Sequence, residues 1–397
     1  MTTPESALQG KSFAKTYFPP VRLAVSGLFL LNGTFAGAWA TKIPEFATRL
    51  GLSESGLGLM IMFFGIGSLV LMPIAGFLIA HFGTTRTVKG ATILFLSTML
   101  LLSIAPNIPV GAVAIFFFGG LMGAMDVAMN GNAVEVEKSM RRAIMSSCHA
   151  FWSLGAFIGA ATGGFLIEAL GVMGHAGLLT VIGAAALLVI WPFVLHDAPH
   201  PNDERQKVRL PTTLLPWLIG LMALFSMVPE GAILDWGALY MRDELGATLG
   251  LSGFAFGAFS LTMAVMRFAG DHVRDRFGAV KTLRFCTIMA MIGMVIAGTA
   301  PNAYVAMAGF AICGVGISNM VPIAFSAAGN LPGFAQGVAL SVATVMGYSG
   351  SLFAPSVIGF IAEHTSFAII FAMMPVLFIV VLLLAHHAVH ADVRDHR

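Results

Sequence analysis

The residues of this chain able to do chemistry stand out because so little around them is polar. Asp126, Asn130, His149 and Trp152 interrupt the otherwise apolar stretch from Gly119 to Gly164, and Glu230, Asp235 and Trp236 interrupt a second one. A carboxylate or an imidazole in such surroundings can take up and release a proton. An amide can hydrogen-bond a polar molecule, and an indole can offer it a stacking face. Placing an ionisable group at the centre of a membrane helix costs roughly 2.5 to 3.5 kcal/mol, so its default meaning is a site or pathway facing protein or water.

Spacing groups these residues. Asp126 and Asn130 are four apart and share one helix face; His149 and Trp152 are three apart and share another. Counting about 1.5 Å per residue from the basic turn at Lys138 to Arg142, Asn130 and His149 lie about 12 Å deep, so the two can meet. Asp126 and Trp152 lie at about 16 to 18 Å, near the middle of a hydrocarbon core about 30 Å thick. Glu230 sits at a similar depth, about 18 Å below Arg242. Pro229 and Gly231 beside it are expected to interrupt the helix and expose backbone groups, which at that depth are tolerated only beside a cavity. Asp235 and Trp236, closer to the outer surface, either gate or anchor.

Asn32, Asn319 and Tyr348 complete a candidate hydrogen-bonding site, with Trp39, Trp152 or Trp236 as the stacking face. Each polar residue alone serves equally well as glue between helices. Arg267 either pairs with a buried carboxylate or snorkels to the surface. Asp126, His149 and Glu230 are the candidates for carrying a proton.

The elements that hold these residues follow from composition. Of 397 residues 57% are hydrophobic and only 10% charged, against about 25% in soluble domains. Apolar runs of spanning length recur along the chain, which reads as an all-α polytopic membrane protein whose surroundings are the lipid bilayer. We place twelve spans at about 21–41, 55–80, 86–105, 108–136, 143–168, 174–195, 213–240, 250–273, 280–299, 303–328, 335–362 and 367–388. The polar segment 196–213 links an N-terminal half, 1–195, to a C-terminal half, 214–397. With both termini cytoplasmic, eighteen of twenty-one Lys and Arg fall on the cytoplasmic side, leaving Lys42, Arg49 and Arg242 outside. The first apolar run reads as a span rather than a cleaved leader.

The halves repeat each other at a constant offset of 195 residues. Phe82-Gly83 matches Phe277-Gly278, Ala105-Pro106-Asn107 matches Ala300-Pro301-Asn302, and Gly119, Gly155 and Gly164 match Gly314, Gly350 and Gly359. Two six-span halves related along the membrane normal are a repeat pattern of transporters that bind their substrate near the midplane.

On these motifs the chain resembles the major facilitator superfamily over its whole length. The family's loop between the second and third spans, G-x-L-x-D-R-x-G, stands here as GFLIAHFG, with Gly76 and Gly83 kept, Ala80 and His81 in place of Asp and Arg, and Arg86 just beyond. The second copy, GDHVRDRFG, keeps Asp271, Asp275, Arg276 and Gly278, and the resemblance implies a conformational charge lock there. Gly155, Gly159, Gly163 and Gly164 resemble the family's antiporter motif with Ala160 replacing its Pro; close helix packing is the alternative reading. DVAMNGNAVEVE at 126–137, SSCHAFWSLG at 146–155, PEGAILDWGALYMRDELG at 229–246 and ISNMVPIAFSAAG at 317–329 resemble the MosC-like and YbjJ-like branch. That branch takes its name from a membrane protein of a rhizopine gene locus, which implies a small polyhydroxylated or inosamine-like solute.

The resulting expectation is a proton-linked secondary transporter of the bacterial inner membrane, monomeric, with a small-molecule solute and a proton or other coupling ion as its partners. A membrane receptor on the same fold, or an exporter of hydrophobic compounds, are the alternatives. A net charge of +2 gives no reason to expect nucleic acid. Cys148, Cys286 and Cys313 have no metal or disulfide spacing, and no phosphate loop supports an ATP-driven pump. His386, His387 and His390 are not spaced as a metal site, and Asn32-Gly33-Thr34 lies inside a span, where it cannot be glycosylated. With no nucleophile and base constellation, neither enzyme activity nor a cofactor is expected.

Overall fold

The computed structural model describes residues 19–140, 144–196, 213–332 and 338–392, apart from the side chains at 146, 271, 275, 338, 341 and 351. The linker reading therefore falls almost wholly outside the described residues, as do part of the basic turn and the side chains of Asp271 and Asp275. Among the described residues ten helices are long and apolar enough to cross a membrane. Two of them carry two crossings each. Glu54–Ile104 has 51 residues and Met145–Ile190 has 46, about 76 and 69 Å of helix against a core of about 30 Å. The first is broken at Gly83 (φ 82°, ψ 167°) and the second at Gly171 (φ 71°, ψ 172°), conformations that only glycine adopts without strain. Twelve crossings result, as the hydropathy implies.

The backbone itself carries the repeat. Gly278 (φ 80°, ψ 156°) breaks the chain between Phe254–Phe277 and Ala279–Gly298 as Gly83 does 195 residues earlier. Gly51 (φ 63°) and Gly246 (φ 66°), again 195 apart, turn the chain in each half after its first span. Gly51 closes the helix Pro20–Leu50 with a left-handed cap in which Leu52 N donates to Ala47 O at 3.0 Å and Gly51 N to Thr48 O at 3.2 Å. Large apolar side chains such as Leu69, Leu188 and Leu383 point outward, a surface suited to acyl chains and not to water.

One expectation about local structure changes. Leu215–Leu239 runs through Pro229 as one helix, so Pro229 and Gly231 do not break the seventh span; the ring removes one hydrogen bond and the surrounding packing holds the rest. The break falls in the tenth span instead, where Ala303–Ile317 and Met320–Gly329 are separated at Ser318 and Asn319. Lys42, one of the three basic residues assigned to the outer side, is fully buried within the first helix, 3.6 Å from Glu45, which leaves that assignment untouched.

Candidate functional site at the centre of the membrane

The first and fifth spans meet through glycine on both sides. A Cβ on Gly33 would stand 2.0 Å from the carbonyl oxygen of Trp152, one on Gly37 2.0 Å from that of Ala156, and ones on Gly155 and Gly159 2.1 and 2.0 Å from those of Leu30 and Thr34. Gly163 likewise faces Thr41. Gly155, Gly159 and Gly163 are thus accounted for by packing against the first span, while Gly164 faces the Leu249 carbonyl of the other half. The carboxylate of Glu137, at the end of the fourth span, accepts from Ile144 N at 2.6 Å and Met145 N at 2.8 Å and so holds the start of the fifth against it.

These contacts bring the N-terminal candidates together. Trp152 Nε1 donates to Asn32 Oδ1 at 2.9 Å, and Asn32 Nδ2 donates to the Met122 carbonyl at 3.3 Å, one turn from Asp126. Asn130 Nδ2 donates to the Asp126 carbonyl at 2.9 Å and to its carboxylate at 3.2 Å. The His149 ring meets Phe29 edge-on at 5.2 Å. Asn130 and His149 each have these nearer partners instead of each other.

From the other half comes the residue that organises the centre. Arg267 lies ten residues before Phe277, about 15 Å from the helix end. Its Nη1 donates to Ser153 Oγ of the opposite half at 2.8 Å, its Nε to the Ser318 carbonyl at 3.5 Å, and its Nη2 stands 4.0 Å from Glu230 Oε1. The break in the tenth span therefore frees a carbonyl where a guanidinium is at hand, which is how irregular backbone survives at this depth. Asn319, in the break, donates from Nδ2 to Ser318 Oγ at 3.1 Å and packs on Gly270. Arg267 also acts electrostatically on His149, while Asp126, Glu230 and Arg267 all act on Tyr348, which is 43% exposed. Groups of both halves thus converge on one polar centre. Of the two readings of Arg267, pairing with a carboxylate holds and snorkelling does not. Neither Arg267 nor Ser153 stands in the sequence-derived site; the lone basic residue inside the apolar eighth span was the available signal.

The remaining candidates lie elsewhere. Trp39 packs on Phe46 and Phe118, both 5.5 Å away, inside the N-terminal half. Trp236 is buried against Phe367 at 5.4 Å. Asp235 is buried with no hydrogen bond or ion pair among the described residues. In the loop motifs, Gly76, Arg86 and Arg276 are exposed, Arg276 lying over Phe277 at 5.5 Å. The residue there that ties elements together is Arg274, which donates from Nη2 to Ser326 Oγ at 3.2 Å and to the Ala391 carbonyl. Asp392 accepts from Ala279 N at 2.9 Å, capping the ninth span.

Two repeat-related helical halves meeting round a cluster of polar side chains are the architecture of a class of membrane transporters. The particular family follows from sequence: the pattern of the Major Facilitator Superfamily matches residues 24–236 and 220–397, and the chain belongs to that family. It is 34% identical to the uncharacterized transporter y4wD of Sinorhizobium fredii (strain NBRC 101917 / NGR234), over 87% of this chain and 92% of that one. It is 32% identical to the membrane protein MosC of Rhizobium meliloti, over 86% and 83%. Among solved structures it superposes on a D-xylose-proton symporter with a TM-score of 0.68 at 16% identity, over 93% of this chain and 96% of that one.

Proposed function

We propose that this protein is a proton-coupled secondary transporter that moves a small polar, polyhydroxylated or amino-sugar-like solute across the inner membrane by rocking its two halves about the polar centre. The observation that carries this reading is the convergence of Arg267, Glu230 and Tyr348 from one half with Ser153, His149 and Asp126 from the other. A hydroxylated solute needs donors and acceptors at the midplane, and these groups supply both: Asp126 and Glu230 accept, Arg267 donates, and Tyr348 does either. Asn32, Asn130 and Asn319 add amides around them. The resemblance to the MosC-like branch supports the solute class, and the basic residues on the terminus-bearing face support cytoplasmic termini.

Coupling needs a group that trades a proton for the solute. Glu230 is that group in our reading: protonation changes the charge of the site by one, so protonation and binding exclude each other or reinforce each other according to the solute's charge. The polar centre gives no support to a hydrophobic cargo, and the glycine stripe, being packing, gives none to export. Receptor function without flux is the reading that transport assays separate from ours.

The test has two stages. A panel of inositols, amino-inositols and hexoses is screened for thermal stabilisation of the purified protein, because a ligand of the folded state raises its apparent stability. Binding of the stabilising compound is then measured from pH 5 to 8 for the native chain, Glu230→Gln and Asp126→Asn. Glu230→Gln is expected to abolish the pH dependence, and Asp126→Asn to weaken uptake into vesicles while the protein stays folded. Unchanged pH dependence with full uptake in Glu230→Gln would remove it from the coupling step.

A further inference from the structure

The face away from the termini is bridged by two contacts that are copies of each other, beside hydrogen bonds from Arg242 Nη1 to Thr48 Oγ1 at 3.4 Å and from Ser356 Oγ to the Gly58 carbonyl at 3.1 Å. At the end of the fifth span the carboxylate of Glu168 accepts from Gly250 N at 2.9 Å, across the junction between the halves. At the end of the eleventh span the carboxylate of Glu363 accepts from Ser55 N at 3.1 Å and from Ser55 Oγ, across the same junction in the other direction. Glu168 and Glu363 are 195 residues apart, and so are Ser55 and Gly250. Each carboxylate therefore accepts from a backbone N–H at the start of a span of the opposite half, Glu363 at the first turn of Glu54–Ile104 and Glu168 at the short turn Leu249–Ser252 that opens the span Leu249–Gly270. Those turns are themselves matched, with Ser53 Oγ accepting from Gly56 N and Thr248 Oγ1 from Leu251 N, each at 3.2 Å.

Glycine lets the backbones come that close, again in matched pairs. A Cβ on Gly164 would stand 2.3 Å from the Leu249 carbonyl oxygen, and one on Gly359 2.4 Å from that of Glu54. One on Gly253 would stand 2.4 Å from the Ala160 carbonyl oxygen, and one on Gly58 2.6 Å from that of Pro355. Each residue of these contacts has its counterpart at the same offset of 195 residues.

We propose that Glu168 and Glu363 are twin gate residues: each holds this face closed by capping the opposite half's helix, and both caps must be released before the face can open. The physical basis is directional. A carboxylate is stabilised by the partial positive charge and unsatisfied N–H groups of a helix N-terminus, and that stabilisation falls off within about one turn, so it is present in the closed arrangement and lost once the halves part. Close glycine packing alone would shut the face but would carry no charge-dependent release. The proposal rests on the rocking motion of the transport reading and adds the residues that set its balance.

The experiment reads the face directly. Spin labels on Met173→Cys and Thr365→Cys, exposed positions of the two halves at that face, report its width in reconstituted protein; the native cysteines are buried. Glu168→Gln and Glu363→Gln are each expected to raise the wide population several-fold, and the double variant to raise it further. Gly164→Ala and Gly359→Ala are expected to act in the same direction through sterics. An unchanged distribution in the double Gln variant, or a response confined to the Ala variants, would overturn the proposal, since packing alone would then hold the face. These labels need no solute, so failure of the gate leaves the transport reading standing. A native distribution that stays single and narrow under an imposed proton gradient would count against that reading instead.

Discussion

The pair formed by Glu230 and Arg267 can be weighed by a double-mutant cycle. At 4.0 Å and an effective dielectric of about 20, two unit charges attract by about 4 kcal/mol. Desolvation offsets much of this, because side chains only 20% and 14% exposed have given up most of their water. The coupling that survives is expected to be about 1 to 3 kcal/mol. The single changes should differ in kind. Glu230→Gln leaves the guanidinium its bonds to Ser153 and the Ser318 carbonyl, so the loss is modest; Arg267→Gln leaves a buried carboxylate without its cation and costs about 3 to 5 kcal/mol. The double variant should therefore be more stable than the sum of the two predicts. Unfolding midpoints in one detergent, for all four proteins, give the cycle. A coupling below about 0.5 kcal/mol would mean that the two groups do not act as a pair, and the electrostatic account of the centre would fall with it.

Gly159→Ala should destabilise the N-terminal half by about 1 to 3 kcal/mol or more, since its methyl group would meet the Thr34 carbonyl at 2.0 Å; an unchanged melting temperature would show that the spans separate freely. Trp152→Phe keeps an aromatic ring but loses the indole N–H and some packing volume; its coupling to Asn32→Ala in a double-mutant cycle, read by thermal unfolding, should be about 0.5 to 1.5 kcal/mol for the lost bond. A reporter fused at residue 205 should register the cytoplasm; activity on the periplasmic side would reverse the assigned orientation.

How much of this was legible beforehand depends on which interactions act locally. Twelve spans, the repeat at 195 residues and the breaks at Gly83 and Gly278 follow from hydropathy and from glycine's backbone freedom, which every residue carries with it. Depth along a helix follows from rise per residue, which puts Asp126 and Glu230 near the midplane and His149 about a turn short of it. Rotation about the helix axis does not follow, because nearly every face of these helices is apolar and periodicity cannot tell lipid from core. That is why Trp39 and Trp236, named as stacking faces, prove to be packed inside their own halves. The same limit hid Arg267 as the hub, since its partners Ser153, Ser318 and Glu230 come from three other spans. Pro229 pointed to a broken seventh helix by local propensity, while packing kept that helix whole and opened the tenth at Ser318 and Asn319. Length, apolarity and repeat were fixed along the chain; which side chains share the centre was decided only when the two halves closed on each other, because that choice depends on contacts between residues more than a hundred positions apart.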